Sequence, residues 1–287
     1  MSAEATDRVV PGTAAATGPG FDPYARMTAS SPRQFLYALN PLAKVAGFAP
    51  AMLLLVFVRD LATPTAFLLL AYALILLGAR LTARLLALLL LALPAGMLLI
   101  GIGFSVWVDT ALVADTAPVV RIGDWTLYSG ALLLGFATAL RLGAIVSLAL
   151  VGGLTTSGPD LVRAGVQQLR VPYRIGYTAL AAFRFVPRFG HELAVIRAAH
   201  RVRGYHGGRG PFARVARGWG YIVPLLAGAI RHAERVALAM DSRAFGAHPT
   251  RTERHLVPFR TRDTVFTAAM LLVSAALFVV FFPWQLP

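Results

Sequence analysis

The sequence predicts an all-α integral membrane protein with about five transmembrane helices and long amphipathic cytoplasmic helices between spans four and five. Of its 287 residues, 57% are hydrophobic and only 14% are charged, and the mean hydropathy is +0.67. A soluble domain of this size could not bury so much apolar surface, so membrane insertion is expected. Five stretches approach the length of about 20 apolar residues that crosses a bilayer. They are residues 42–58, 61–79, 85–104, 131–153 and 265–282.

Composition divides the chain into four regions. Residues 1–34 are rich in Ala, Thr, Gly and Pro and start with neither a basic nor an apolar segment, so we expect a disordered, uncleaved cytoplasmic tail. We expect a four-helix membrane region over 35–153, cytoplasmic helices over 154–263 and the last transmembrane helix over 264–287. The first two apolar stretches are short and closely joined, but Thr63 and Pro64 are suited to start a helix and predict two separate spans.

The charges of the loops predict the orientation. Lys and Arg accumulate on the cytoplasmic side of membrane proteins. Lys44, Arg80 and Arg84 flank one side of the predicted spans, whereas Asp109, Asp115 and Asp124 lie on the other. Residues 154–264 contain 18 arginines and 6 acidic residues, a net charge of +12, so nearly all of the chain's +14 lies in this segment. A cytoplasmic N-terminus and a cytoplasmic basic segment follow.

The basic segment reads as helices at a membrane surface. Thr155, Thr156 and Ser157 supply capping hydroxyls for a short helix that should end near Leu169. A longer helix should follow Pro172, with Arg188 and Glu192 spaced to pair on one face. Its apolar positions recur every three or four residues and form one stripe. The stripe contains Leu180, Phe183, Val186, Gly190, Leu193 and Ile196.

Two long helices are predicted to end in similar sequences. The first ends in Arg203-Gly204-Tyr205, and a second amphipathic stretch, from about Phe212, ends in Arg243-Ala244-Phe245. Each arginine alone is explained by a cation at the negative end of a helix. The repetition favours a second interpretation, in which each end inserts an arginine into a partner protein as a planar fork of hydrogen-bond donors.

These elements resemble the T component of energy-coupling factor (ECF) transporters, the family of the cobalt-transport permease. The family's Asp-Pro-x-x-Lys element is similar to segment 40–44, and its Thr-Thr-rich turn is similar to segment 155–157. Its Arg-Phe-Ile-Pro element is similar to segment 184–187, which Glu192 follows. The resemblance covers most of the chain from Asn40 onward.

The family's two Ala-Arg-Gly signatures correspond to the two helix ends, although neither is intact. In the first signature Val202 replaces Ala. In the second, Ser242 replaces Ala and Ala244 replaces Gly. Both arginines remain. The resemblance implies ATPase docking at these six residues: Val202, Arg203, Gly204, Ser242, Arg243 and Ala244.

The resemblance also implies a transmembrane scaffold without catalytic activity that works with partner proteins. Two ATP-binding subunits would hydrolyse ATP and move the coupling helices. A small membrane-embedded substrate-binding subunit would capture a vitamin or a transition-metal ion and would contact Leu180, Phe183, Leu193 and Ile196. We expect no cofactor, no bound metal and no nucleic-acid partner.

Other functional patterns fail in the sequence. Lys44 is the only lysine and no phosphate-binding Gly-rich loop surrounds it, which excludes a P-loop ATPase. His191-Glu192 begins like a zinc motif, but Val195 occupies the position of the second histidine. We interpret His200 and His206 as surface residues and not as a metal pair.

Arg141 lies inside the fourth predicted span, where a charge is costly. Two interpretations stay open: a functional role, or a structural role in which the side chain reaches the membrane surface or bonds the carbonyl groups of a neighbouring helix.

Two alternative functions remain at this stage. One is the permease of a conventional ABC importer, whose coupling helix is short, whereas two long ones are predicted here. The other is a membrane-bound enzyme acting on lipid-linked substrates, which would require clustered acidic residues at a membrane face. Asp109, Asp115 and Asp124 are too widely spaced to predict such a cluster.

Overall fold

The computed structural model describes residues 34–109, 111, 113–122, 125–204, 210–253 and 255–282. The predicted tail of residues 1–34 lies almost entirely outside this part of the chain, and the division into four regions stays a prediction. The described residues form the α-helices α1 (Pro41–Leu55), α2 (Ala62–Gly78), α3 (Ala83–Ala87), α4 (Leu93–Trp107), α5 (Ser129–Thr155), α6 (Gly158–Gln168), α7 (Tyr173–Val202), α8 (Pro211–Asp241) and α9 (Thr261–Phe281).

The predicted all-α membrane architecture is confirmed. Within the described residues, three continuous helices are long and apolar enough to cross a membrane: Ala83–Trp107, Ser129–Thr155 and Thr261–Phe281. The first of them comprises α3, a π-helical turn (Leu88–Ala92) and α4. Helices α1 and α2 are apolar but have only 15 and 17 residues, about 22 and 25 Å at 1.5 Å per residue. The number of spans therefore stays a prediction.

A short β-hairpin interrupts the all-α pattern between α4 and α5. Strands β1 (Pro118–Ile122) and β2 (Trp125–Tyr128) pair antiparallel, with Val120 opposite Leu127. The prediction missed this hairpin. Its sequence signal is a Gly-Asp pair between two short runs rich in β-branched and aromatic residues.

Helix α5 lies at the centre of the membrane region and packs against α1, α2 and α4. Its contact with α4 depends on glycines, because small residues let two helix backbones approach closely. A Cβ built on Gly135 would clash with the Ser105 hydroxyl and would lie 2.5 Å from the Gly101 carbonyl oxygen. One built on Gly143 would lie 2.5 Å from the sulfur of Met97. Helix α1 packs on its other side against α9.

The start of α2 differs from the prediction in one detail. The helix begins at Ala62, and the carboxylate of Asp60 accepts a hydrogen bond from the Thr63 N–H at 2.7 Å. A carboxylate near the positive end of a helix is favourable. Asp60 therefore caps this helix, a role that the prediction gave to Thr63 and Pro64.

The helices that follow α5 begin as predicted. The hydroxyl of Ser157 accepts a hydrogen bond from the Asp160 N–H at 3.1 Å, and α6 ends at Gln168, one residue before the predicted Leu169. Helix α7 then runs for 30 residues and α8 for 31. The predicted pair between Arg188 and Glu192 is confirmed, with a nitrogen-to-oxygen distance of 3.5 Å.

Candidate functional site

Helices α7 and α8 form an antiparallel pair that ring contacts hold together along its length. A middle contact stacks two rings at 4.2 Å between centroids, and the two outer contacts are edge-to-face at 5.8 and 5.3 Å. From the start of α7 to its end, the contacts join Tyr173 with Phe245, Phe185 with His232, and His200 with Tyr221.

The two predicted docking ends lie at opposite ends of this pair. Arg203 caps the C-terminus of α7, whereas Phe245, two residues after Arg243, packs on Tyr173 in the first turn of α7. Helix α7 has 30 residues, so the two ends are separated by about 45 Å along its axis.

The first end is exposed and closes the helix in a left-handed turn. The Arg203 N–H donates to the Ala199 carbonyl, and Gly204 has a φ of +74°. Glycine adopts this conformation without steric cost, which is why it commonly terminates helices. The side chain of Val202 is 89% exposed. Tyr205 and His206, the aromatic and the histidine predicted to follow, lie outside the described residues.

The second end repeats this geometry with a different residue. After α8 ends at Asp241, the N–H groups of Ser242 and Arg243 bond the carbonyls of Leu238 and Met240. Ala244 follows with a φ of +53°. The residue after each arginine is therefore left-handed, as glycine at the first end and as alanine at the second.

Aromatic and charged side chains attach the second end to the start of α7. The hydroxyl of Tyr173 donates to the His248 carbonyl at 2.6 Å, and that of Tyr177 donates to the Glu253 carboxylate at 2.7 Å. The guanidinium of Arg251 lies 4.3 Å from the ring centre of Tyr177 and 5.6 Å from that of Phe245. Partial burial, together with the bond to Glu253, raises the pKa of Tyr177.

The apolar stripe predicted on α7 is only partly available to another protein. Leu180, Leu193 and Ile196 are half-buried. The ring of Phe183 packs on α6, since a Cβ built on Gly158 would lie 2.7 Å from two of its carbons. Part of the Phe183 side chain is therefore covered by a contact within the chain. The role of Leu180, Phe183, Leu193 and Ile196 in partner binding stays a prediction.

Helix α8 carries a more exposed apolar stripe, which the sequence analysis did not single out. Phe212 is 89% and Trp219 is 70% exposed, and the exposed apolar residues recur every three or four positions. This spacing was visible in the sequence and is typical of one helix face. We name this surface the α8 stripe; it consists of Phe212, Val215, Trp219, Ile222, Leu226 and Ile230.

Arg141 bonds the end of a neighbouring helix. One nitrogen of its guanidinium donates to the carbonyls of Val56 and Val58, at 3.1 and 3.2 Å, where α1 has just ended. The last carbonyls of a helix lack partners and carry partial negative charge. The contact corresponds to the structural interpretation given above, in which Arg141 bonds a neighbouring helix's carbonyls.

The sequence predicts Lys44 at the cytoplasmic border of the membrane, where a lysine side chain is normally exposed, but the structure buries it. It is 1% exposed, and its ammonium bonds the turn between α5 and α6. Within the described part of the chain, no three His, Asp or Glu side chains lie close enough together to hold a metal ion.

A model of the cobalt transport protein family matches residues 32–254, more than three quarters of the chain. The chain belongs to this family. Among its relatives, the energy-coupling factor transporter transmembrane protein of Acidaminococcus fermentans is 30% identical over 215 residues, which cover 68% of this chain and 77% of the relative. The protein of the same name from Bacillus selenitireducens is 29% identical over 55% of this chain and 62% of its own length.

Another relative is a longer protein. It is a putative ABC transporter ATP-binding protein of Bifidobacterium longum, 29% identical over 84% of this chain but only 31% of its own length. The chain thus spans less than two thirds of some relatives that it matches. The comparisons support the energy-coupling factor resemblance and neither alternative function.

Proposed function

We propose that this cobalt transport family protein is the transmembrane coupling subunit of an ECF-type ATP-driven importer. One observation carries the proposal: two exposed helix ends share an arginine followed by a left-handed residue and lie at opposite ends of one antiparallel helix pair. Two similar surfaces on one chain can bind two copies of the same kind of partner. Each end would therefore dock one of two ATP-binding subunits.

The separation of the ends supports two docking subunits. The distance of about 45 Å along α7 exceeds the diameter of a small domain, which is about 30 Å. Arginine at each end offers a planar donor fork for carboxylates or carbonyl groups of the docking groove. The name of the Bifidobacterium longum relative, an ATP-binding protein, supports an ATP-driven process.

A small membrane-embedded substrate-binding subunit would pack against the coupling helices. The α8 stripe and the half-buried residues Leu180, Leu193 and Ile196 offer apolar surface for this contact. The cargo would be a vitamin or a transition-metal ion, bound by that partner. Movement of the two docked ends would then tilt the helix pair and reorient the substrate-binding subunit.

In this proposal the chain itself is not catalytic, and ATP hydrolysis belongs to the partners. The protein would lie in the cell membrane with its N-terminus and its coupling helices in the cytoplasm. The +12 charge of residues 154–264 supports this orientation.

The test is the double variant Arg203→Glu with Arg243→Glu, co-expressed with the ATP-binding and substrate-binding subunits. We expect loss of co-purification of the ATP-binding subunits and loss of uptake, because a carboxylate reverses the charge of each docking end. Arg231→Glu, an exposed charge reversal on α8 away from both ends, is the matched control and should leave the complex intact. Retained assembly in the double variant would exclude the docking assignment.

A further inference from the structure

The first turn of α1 bonds the point where the cytoplasmic helices leave the membrane region. The ammonium of Lys44 donates to the Thr155 carbonyl at 2.8 Å, to the Thr155 hydroxyl at 3.0 Å and to the Thr156 hydroxyl at 3.1 Å. These threonines end α5, and Ser157 begins α6 directly after them.

The same turn of α1 also bonds the point where the chain returns to the membrane. The Asn40 N–H donates to the carboxylate of Asp263 at 2.7 Å, and the Asn40 amide donates to the Val257 carbonyl at 3.3 Å. Asp263 is 1% exposed and accepts a second bond from the Arg260 N–H at 2.8 Å. Residues 40 and 44 are one helical turn apart, so one face of α1 holds both ends of the cytoplasmic segment.

The chemistry of this contact selects lysine. An ammonium has three donors in a tetrahedral arrangement, and here all three meet an oxygen. A guanidinium is planar and longer and cannot place its donors in the same way. Of the 27 basic residues other than histidine, 26 are arginine, and the one lysine occupies this buried position.

We propose that Lys44 is a positioning residue that clamps the α5–α6 turn to α1, so that movement of the coupling helices is passed to the membrane helices. The inference rests on the proposed coupling function and assigns one of its mechanical parts. Without these hydrogen bonds, movement of the coupling helices bends the turn between α5 and α6 and does not move the membrane helices.

The functional test compares Lys44→Met and Lys44→Arg with Arg84→Met, which removes an exposed charge at the same end of the membrane region. In purified complexes reconstituted in vesicles, both Lys44 variants should retain the ATP-binding subunits and hydrolyse ATP. The uptake per ATP hydrolysed should fall about tenfold or more, the equivalent of losing hydrogen bonds to a charged group. Arg84→Met should transport normally, and normal coupling in Lys44→Met would overturn the proposal.

A structural measurement separates positioning from general stability and does not need the partners. The chain has no cysteine, so spin labels can be placed at Val45→Cys on α1 and Leu161→Cys on α6, both exposed positions. We expect one narrow distance distribution with Lys44 and a broad one with Lys44→Met. The double variant Thr155→Val and Thr156→Val keeps only the bond to the backbone carbonyl of residue 155, so its distribution should be of intermediate width. The threonine variant keeps the lysine, and it replaces Lys44→Met in this measurement if Lys44→Met fails to fold. An unchanged narrow distribution in the variant that folds would overturn the clamp, whatever the fate of the docking assignment.

Discussion

At the residue scale, the two helix ends show how one backbone geometry persists through a change of sequence. Gly204 and Ala244 follow the two arginines and both have positive φ, +74° and +53°. A side chain in this region normally costs about 1 to 2 kcal/mol because its Cβ approaches the following carbonyl. The geometry is retained at Ala244 because the segment beyond it is held by Tyr173, Tyr177 and Arg251.

We therefore predict that Ala244→Gly stabilises the protein by about 1 kcal/mol, since it removes the strain of a left-handed alanine. Thermal unfolding in detergent measures the change. Ala239→Gly, in the last turn of the regular α8 helix, is the control and should destabilise by about 1 kcal/mol. Equal effects of the two substitutions would show that Ala244 is not strained.

The sequence predicted those features that depend on residues close together along the chain, such as the starts and ends of helices. The cap at Ser157 and the ends at Val202 and Asp241 follow from hydroxyls, glycines and apolar spacing that are visible locally. Burial of Lys44 depends on threonines 111 and 112 residues away, so the sequence assigned it to the charged border of the membrane. The contact of Phe183 with Gly158 could not be predicted from the sequence either, because the local residue pattern does not determine which face of α7 packs against α6.

At the element scale, α8 leaves a long apolar face uncovered. The α8 stripe runs over 19 residues, from Phe212 to Ile230, and all of its members are exposed. A large exposed apolar surface marks a site of contact with protein or lipid. The polar face of the same helix bears Arg231 and Arg235, both exposed and four residues apart, and offers a natural comparison.

On the proposed function, we predict that Trp219→Glu releases the substrate-binding subunit and leaves the ATP-binding subunits attached, because it places a charge in the apolar contact and alters neither docking arginine. Quantitative co-purification of each partner measures the effect, and we expect at least a tenfold loss of the substrate-binding subunit, about 1.4 kcal/mol. Arg235→Glu also adds an acidic residue to α8 but on the polar face, and it should retain all partners. Unchanged binding in Trp219→Glu would place the contact elsewhere.

At the scale of the whole molecule, the membrane region is organised around α5 and its close approach to α4. Without water in the bilayer, helix association relies on packing, and glycine permits the shortest distances between helices. Gly135 faces the Gly101 carbonyl oxygen, whereas Gly96 on α4 has open space around it. The two glycines thus occupy opposite environments on neighbouring helices.

We predict that Gly135→Ala destabilises the folded protein by about 1 to 3 kcal/mol, because the added methyl group forces the two backbones apart. Gly96→Ala is the matched control and should be neutral or up to about 1 kcal/mol stabilising, since alanine favours helix and meets no neighbour. The midpoint of thermal unfolding in detergent reports both. A tolerated alanine at 135 would mean that α4 and α5 can separate at little cost.

The burial of Lys44 has a practical consequence for mapping the complex proposed above. Reagents that link primary amines react with exposed lysine side chains and with α-amino groups, and the only lysine of this sequence is 1% exposed and fully bonded. In the folded complex, amine-reactive cross-links should therefore connect the partners to one another while bypassing the side chains of this subunit. Carboxylate-reactive or photoactivated reagents would be needed to locate its helices in a cross-linking map.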